Sequence, residues 1–131
     1  MASLSDAFLK VGKDEIPILH SLIRELAIYE KMESQFIATI EMLEKSILEE
    51  KIVNAFLIMF EGKHVGYIVY FYNYSTFAGK KTIYLEDVYV KEEYRKNGLG
   101  TKAFLKLAEE CKANDCARLE WSCLSWNQLA K

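Results

Sequence analysis

Apolar residues recur along this chain in two rhythms. Leu19, Leu22, Ile23 and Leu26 fall three and four apart and place one apolar stripe on a helix expected over residues 14–29. Asp14 is the expected N-cap, and Pro17 sits in the first turn, where its missing N–H costs little. A short strand is expected just before it, over 8–11. A second helix should follow Thr39, with Ile40, Leu43 and Ile47 on one face. From Val53 the pattern turns to strand chemistry. Segments 53–60 and 64–73 flank Glu61-Gly62-Lys63, a hairpin turn in which glycine supplies the positive φ. A further strand is expected over 82–90. A third helix follows Gly98 with Phe104, Leu107, Ala108 and Cys111 inward, and a last strand spans 117–124.

The order is strand, two helices, an antiparallel strand run, then strand–helix–strand. The last unit implies a parallel pair joined by a right-handed crossover, so the fold class is α/β with a mixed sheet. The 131 residues, 51% hydrophobic and 27% charged, suit one globular domain, and no repeat or linker divides 1–131. A formal charge of -2 supplies no broad basic footprint, so nucleic acid is not an expected partner. The apolar runs 55–60 and 67–72 are too short to span a bilayer, and the first residues lack a signal-peptide pattern. No membrane association is expected. Cys111, Cys116 and Cys123 are odd in number and have no histidine at ligand spacing, so free thiols are expected, with no metal and a cytoplasmic setting.

Arg95-Lys96-Asn97-Gly98-Leu99-Gly100-Thr101 joins a strand to a helix. Two glycines let backbone approach a ligand closely, and a helix N-terminus offers unpaired N–H groups and the positive end of the dipole. Such a loop suits a pyrophosphate. Gly98-Leu99-Gly100-Thr101-Lys102 lacks the spacing of a P-loop. Gly98, Gly100, Ala103 and Glu120 superficially fit a dinucleotide fingerprint, but Lys91 to Asn97 intervene between strand and glycines. A glycine-containing helix start without a ligand also stays open. Arg95, Gly98 and Gly100 match a third pattern, the [RQ]-x-x-G-x-[GA] loop with which GNAT acetyltransferases hold acetyl-CoA.

Other segments resemble one branch of that superfamily, the spermidine/spermine (diamine) N-acetyltransferases. These are Leu22 to Glu30 with Met32-Glu33, then Tyr84 to Val90, Glu93 to Thr101, and Trp126-Asn127. The resemblance implies a GNAT fold and transfer of acetyl from acetyl-CoA, as cosubstrate, to a primary amine of a diamine, polyamine or lysine-like amino acid. It implies that the main chain of Val88, Tyr89 and Val90 pairs with the pantetheine arm. Arg95, Lys96, Asn97, Gly98, Leu99, Gly100 and Thr101 wrap the pyrophosphate, and Asn127 contacts the cofactor. Tyr29, Glu30, Glu86, Asp87, Trp121 and Ser122 border the amine, and a homodimer is implied. An alkylammonium with a pKa of about 10.4 must lose a proton before it attacks a thioester. Glu86, directly or through water, is the candidate to hold it and accept that proton. A backbone N–H of Tyr89 or Val90 is the candidate oxyanion donor.

Two departures stand beside the likeness. The family's tyrosine acid, which follows the W-N segment, and the closing helix and strands have no counterpart before Lys131, so a C-terminally incomplete domain is expected. Strand 118–124 would then be a sheet edge covered by a second copy or a further segment. An alternative reading is a catalytically weak or inactive CoA-binding or interaction domain. The loop Asn73 to Phe77 lacks the family's aspartate and tryptophan, with Ser75 at the anionic position, which weakens polyamine as substrate. His20, His64, the aromatic run 67–74, Lys80-Lys81 and Glu49-Glu50 are expected to be structural or solvated.

Overall fold

The computed structural model describes residues 4–122. Trp126, Asn127 and Cys123, and the end of the last expected strand, lie outside the described residues. Among the described residues five strands form one sheet in the order β1 (Phe8–Lys10), β2 (Asn54–Phe60), β3 (Lys63–Ser75), β4 (Lys80–Val90) and β5 (Leu119–Trp121). Neighbours are antiparallel as far as β4, and β5 runs parallel to it. The helices are α1 (Ile16–Tyr29), α2 (Ile40–Glu44), which ends in a π-helical turn over Lys45–Glu49, and α3 (Leu99–Ala113). Among the described residues no helix is long and apolar enough to cross a membrane.

Helices cover both faces of the sheet, which explains why Ala55, Phe56, Leu57 and Ile58 form an unbroken buried run. Val11, Ile16, Leu19 and Leu22 pack with Ala55, Leu57, Tyr67, Val69 and Tyr89 on one face. Leu99, Ala103 and Leu107 pack with Phe56, Ile58, Ile68, Ile83, Leu85 and Val88 on the other. The buried stripe of α3 is therefore 99, 103 and 107. Ala108, expected inward, is exposed, and Phe104 is half-buried, with its ring edge-on to Trp121 at 5.0 Å.

The local signals held with small shifts. Thr39 caps α2, its hydroxyl accepting from Met42 N–H at 3.1 Å. Asp14 does not cap α1. It lies within a 3-10 turn over Lys13–Glu15, and the Glu15 carboxylate instead accepts from Gly12 N–H at 2.8 Å. The β2–β3 turn is tighter than expected: Lys63 already pairs with Phe60, leaving Glu61 and Gly62 at φ 50 and 78. Both central residues at positive φ make a type I′ turn.

Gly66 carries a constraint that periodicity does not reveal. A Cβ there would lie 2.1 Å from the carbonyl oxygen of Tyr89 on β4. That atom belongs to backbone and cannot swing aside. Gly66→Ala is therefore expected to cost about 3 kcal/mol of stability, the upper part of the range for overpacking. Denaturant unfolding measures it; a variant as stable as wild type would show that the two strands can part freely.

Candidate active site

Strand β4 breaks its alternation once. Val69 pairs with Asp87 and Tyr70 with Leu85, so Glu86 has no opposite residue on β3. A bulge of this kind turns two successive side chains to one side. Leu85 and Val88, three apart, both enter the α3-side core, while Glu86 and Asp87 both face a cleft beside α1.

That cleft has a volume of about 450 Å³. Ile23, Leu26 and Ala27 of α1 form its apolar wall, Met32, Gln35 and Phe36 of the following loop form its mouth, and Tyr84 and Ser122 lie at its β5 side. Glu30, Glu86 and Asp87 bring three carboxyls to it. His20 helps to place the loop wall: its Nε2 donates to the Ala38 carbonyl at 2.8 Å, and its ring lies against Phe36 at 5.0 Å. Arg24 adds an ion pair to Glu33 at 3.2 Å.

Asp87 is the perturbed group. Burial, then the neighbouring Glu86 carboxylate, pushes its carboxyl up from 3.8 to about 6, against a lowering hydrogen bond from Tyr67. The Tyr67 hydroxyl donates at 3.5 Å and is itself held far above the ordinary phenol range, first by burial and then by Asp87.

A second feature adjoins the cleft. β5 pairs only with Ile83, Tyr84 and Leu85, so beyond the bulge the outer edge of β4 has no strand partner among the described residues. Lys91 N–H donates inward to Val65 O at 2.8 Å. Alternation along the strand then directs the Tyr89 N–H inward as well, and those of Val88 and Val90 to the open edge. Tyr89 is anchored by its side chain, the hydroxyl donating to Glu25 Oε1 at 3.2 Å. Lys91 Nζ holds the other Glu25 oxygen at 3.5 Å.

The glycine loop follows at the same end of β4. Gly98 adopts φ 71 and ψ 15, left-handed, and no side chain caps α3 among the described residues. The helical ladder starts with Lys102 N–H to Gly98 O at 3.1 Å, leaving the N–H groups of Leu99, Gly100 and Thr101 without intrahelical acceptors. Lys96, Asn97 and Thr101 are exposed. Arg95 is turned away from the loop: its Nε donates to Val90 O at 2.8 Å, and its guanidinium lies 4.6 Å from the Tyr29 ring.

Of the residues expected at the amine, the structure brings Glu30, Glu86, Asp87 and Ser122 to one cleft. Tyr29 sits instead beside Arg95 and Lys96, and Trp121 is on the α3 face against Phe104. Met32, Gln35, Phe36, Tyr67 and Tyr84 were not assigned to the site from the sequence. For the loop residues no periodic signal exists. For the bulge one does: apolar positions 83 and 85 give way to 88 and 90, a change of phase readable in the sequence.

Residues 18–131 match the acetyltransferase (GNAT) family. The chain belongs to that family. As a GNAT member it is an N-acetyltransferase. It is 38% identical over 120 residues to a thialysine N-epsilon-acetyltransferase of Caenorhabditis elegans, covering 92% of this chain and 74% of that relative. It is 39% identical over 118 residues to the Bos taurus protein of the same name, covering 83% and 69%. The fold matches that of a probable acetyltransferase of solved structure with a TM-score of 0.80 at 19% identity, over 94% of this chain and 82% of the other. The chain is thus shorter than these GNAT relatives.

The raised Asp87 carboxyl sets a stability profile for this acetyltransferase. Between pH 3.8 and about 6 the folded protein holds a proton that the unfolded chain has released. Stability contributed by Asp87 therefore falls as pH rises through that window. The expected fall is on the order of 1–3 kcal/mol. Asp87→Asn should lack it and be more stable than wild type at pH 7. Urea unfolding from pH 4 to 7 tests this, and identical profiles for the two proteins would refute it.

Proposed function

We propose that the chain transfers an acetyl group from acetyl-CoA to the primary amine of a small cationic substrate, and that a lysine-like amino acid fits better than a polyamine. The carrying observation is the meeting of Glu30, Glu86 and Asp87 in a cleft directly beside the open edge of β4. An amine that arrives as an ammonium finds charge compensation there, and the apolar wall of Ile23, Leu26 and Ala27 accommodates an alkyl chain.

The residues suit acetyl-CoA. The Val88 and Val90 main chain would pair with its pantetheine arm. The N–H groups at the start of α3, with Lys96 and Asn97 beside them, would take its pyrophosphate. Bound there, it supplies an acetyl thioester, an acyl group activated toward nitrogen. The outward N–H of Val90 is better placed than that of Tyr89 to donate to the acetyl oxygen. Arg95, engaged with Val90 O and Tyr29, positions the strand end rather than the phosphates. Asn127 remains a proposed cofactor contact on resemblance alone.

Glu86 and Asp87 divide the proton work. Glu86, exposed at the bulge, holds the ammonium, while Asp87, its carboxyl raised to about 6, accepts the proton. This refines the role that the sequence assigned to Glu86 alone. The thialysine-acetyltransferase relatives support the lysine-like substrate. So does Ser75, whose hydroxyl accepts from Ala78 N–H at 3.1 Å and closes the hairpin turn rather than supplying an anion.

Release of free CoA thiol should depend on amine, with thialysine and lysine ahead of putrescine and spermidine; release no faster than without amine overturns the proposal. Asp87→Asn should lower kcat/KM by about 10²-fold or more. The wild-type kcat/KM should rise with pH through about 6, because the base must be ionised. Gly98→Val, strained at φ 71, should weaken acetyl-CoA binding by calorimetry by about tenfold or more. Unchanged affinity would remove the loop from the cofactor site.

A further inference from the structure

The C-terminal end of α3 closes with two specific bonds. Cys116 N–H donates to Cys111 O at 2.8 Å, and Asp115 N–H to Lys112 O at 3.2 Å. Asp115 stands between them at φ 53, in the left-handed region. This 6→1 and 5→2 pair is a Schellman cap, in which the first and last residues of the motif commonly touch through apolar side chains. Here both positions are cysteines. The Cys116 thiol donates to the Asn114 carbonyl at 3.9 Å, and both cysteines are free and half-buried. They open to a surface hollow of about 470 Å³ shared with Ala108, Lys112, Asp115 and Leu119. The hollow lies at the opposite end of α3 from the glycine loop, so the acetyl-transfer reading does not use it.

We propose that Cys111 and Cys116 form a dithiol site for small disulfides, and that it closes into an intramolecular disulfide that locks the end of α3. In the first step the thiolate of one cysteine attacks a low-molecular-weight disulfide such as glutathione disulfide. A mixed disulfide forms and one small thiol leaves. The neighbouring cysteine, as thiolate, then attacks the protein sulfur and expels the second small thiol. The two protein thiols lose two electrons and two protons, and the small disulfide is reduced to two thiols.

The backbone already brings the two residues together, through the Cys116 N–H to Cys111 O bond at the end of the helix and the hollow that both line. The segment it would lock is held to β4 by Ala117 N–H to Lys81 O at 2.8 Å, Lys80 Nζ to Asp115 at 3.0 Å and the Thr82 hydroxyl to Glu120 at 3.0 Å. Burial, then Cys111, pushes the Cys116 thiol above its ordinary range, with Lys81 opposing and Asp115 adding to the shift. Exchange is therefore tested at mildly alkaline pH, where thiolate is available.

The test treats the native chain with excess glutathione disulfide, alkylates the remaining thiols and maps the products by mass spectrometry. The expected product joins Cys111 to Cys116 with loss of two hydrogens, reverts with dithiothreitol, and raises Tm by about 5 °C or more. In Cys116→Ser, Cys111 should carry a stable glutathione adduct and the Tm gain should vanish. Phenylarsine oxide gives a readout without oxidation: one arsenical per chain, lost in both Cys111→Ser and Cys116→Ser. Separate glutathione adducts on the two cysteines, both thiols still alkylatable, or either one joined to Cys123 would overturn the proposal.

Discussion

At Glu86 the β4 strand carries one residue more than β3 can pair, and much of the site follows from that mismatch. Without it, strict alternation would drive Asp87 into the apolar α3-side core and turn Val88 and Val90 toward α1. With it, two consecutive carboxylates share the α1 face while Val88 and Val90 stay in the opposite core. Among the described residues the pairing of β4 with β5 also reaches no further than Leu85 and Trp121, next to the bulge. Acidic cleft and open strand edge are therefore adjacent, both at the bulge.

Holding that geometry costs stability, and the structure shows where support comes from. The Tyr67 hydroxyl compensates part of the burial of Asp87, though the carboxyl remains raised to about 6. Gly66 lets β3 approach the Tyr89 carbonyl more closely than any side chain would allow. Glu25 fastens Tyr89 and Lys91 to α1, and Arg95 ties the start of the glycine loop back to Val90. These contacts bind the end of β4 from two sides. A poorly solvated carboxylate at a functional site is a familiar trade of stability for reactivity.

On the proposed reading, a proton acceptor near neutrality beside an alkylammonium has the matching that amine acylation requires. The cleft's other walls are less fixed by backbone geometry. Its loop side depends on His20 reaching Ala38 and on the Arg24–Glu33 ion pair, which is exposed and contributes little. Selectivity among amines is accordingly expected to respond more to Met32, Gln35 and Phe36 than to the strand residues.

Local chemistry made the strand and helix order, the hairpin turn, the Thr39 cap and the glycine-led start of α3 readable from the sequence, because each is set by periodicity or by backbone preference within a few residues. The change of phase between Leu85 and Val88 was also written there, although its consequence was not. What required the folded chain were the relations between distant segments. Tyr67 meets Asp87, Arg95 turns to Tyr29, and Trp121 packs away from the cleft because sheet register and strand faces place them, and register is a property of paired strands. The approach of Cys111 and Cys116 stands between the two cases: the spacing is local, but only the left-handed Asp115 turns that spacing into a backbone bond between them.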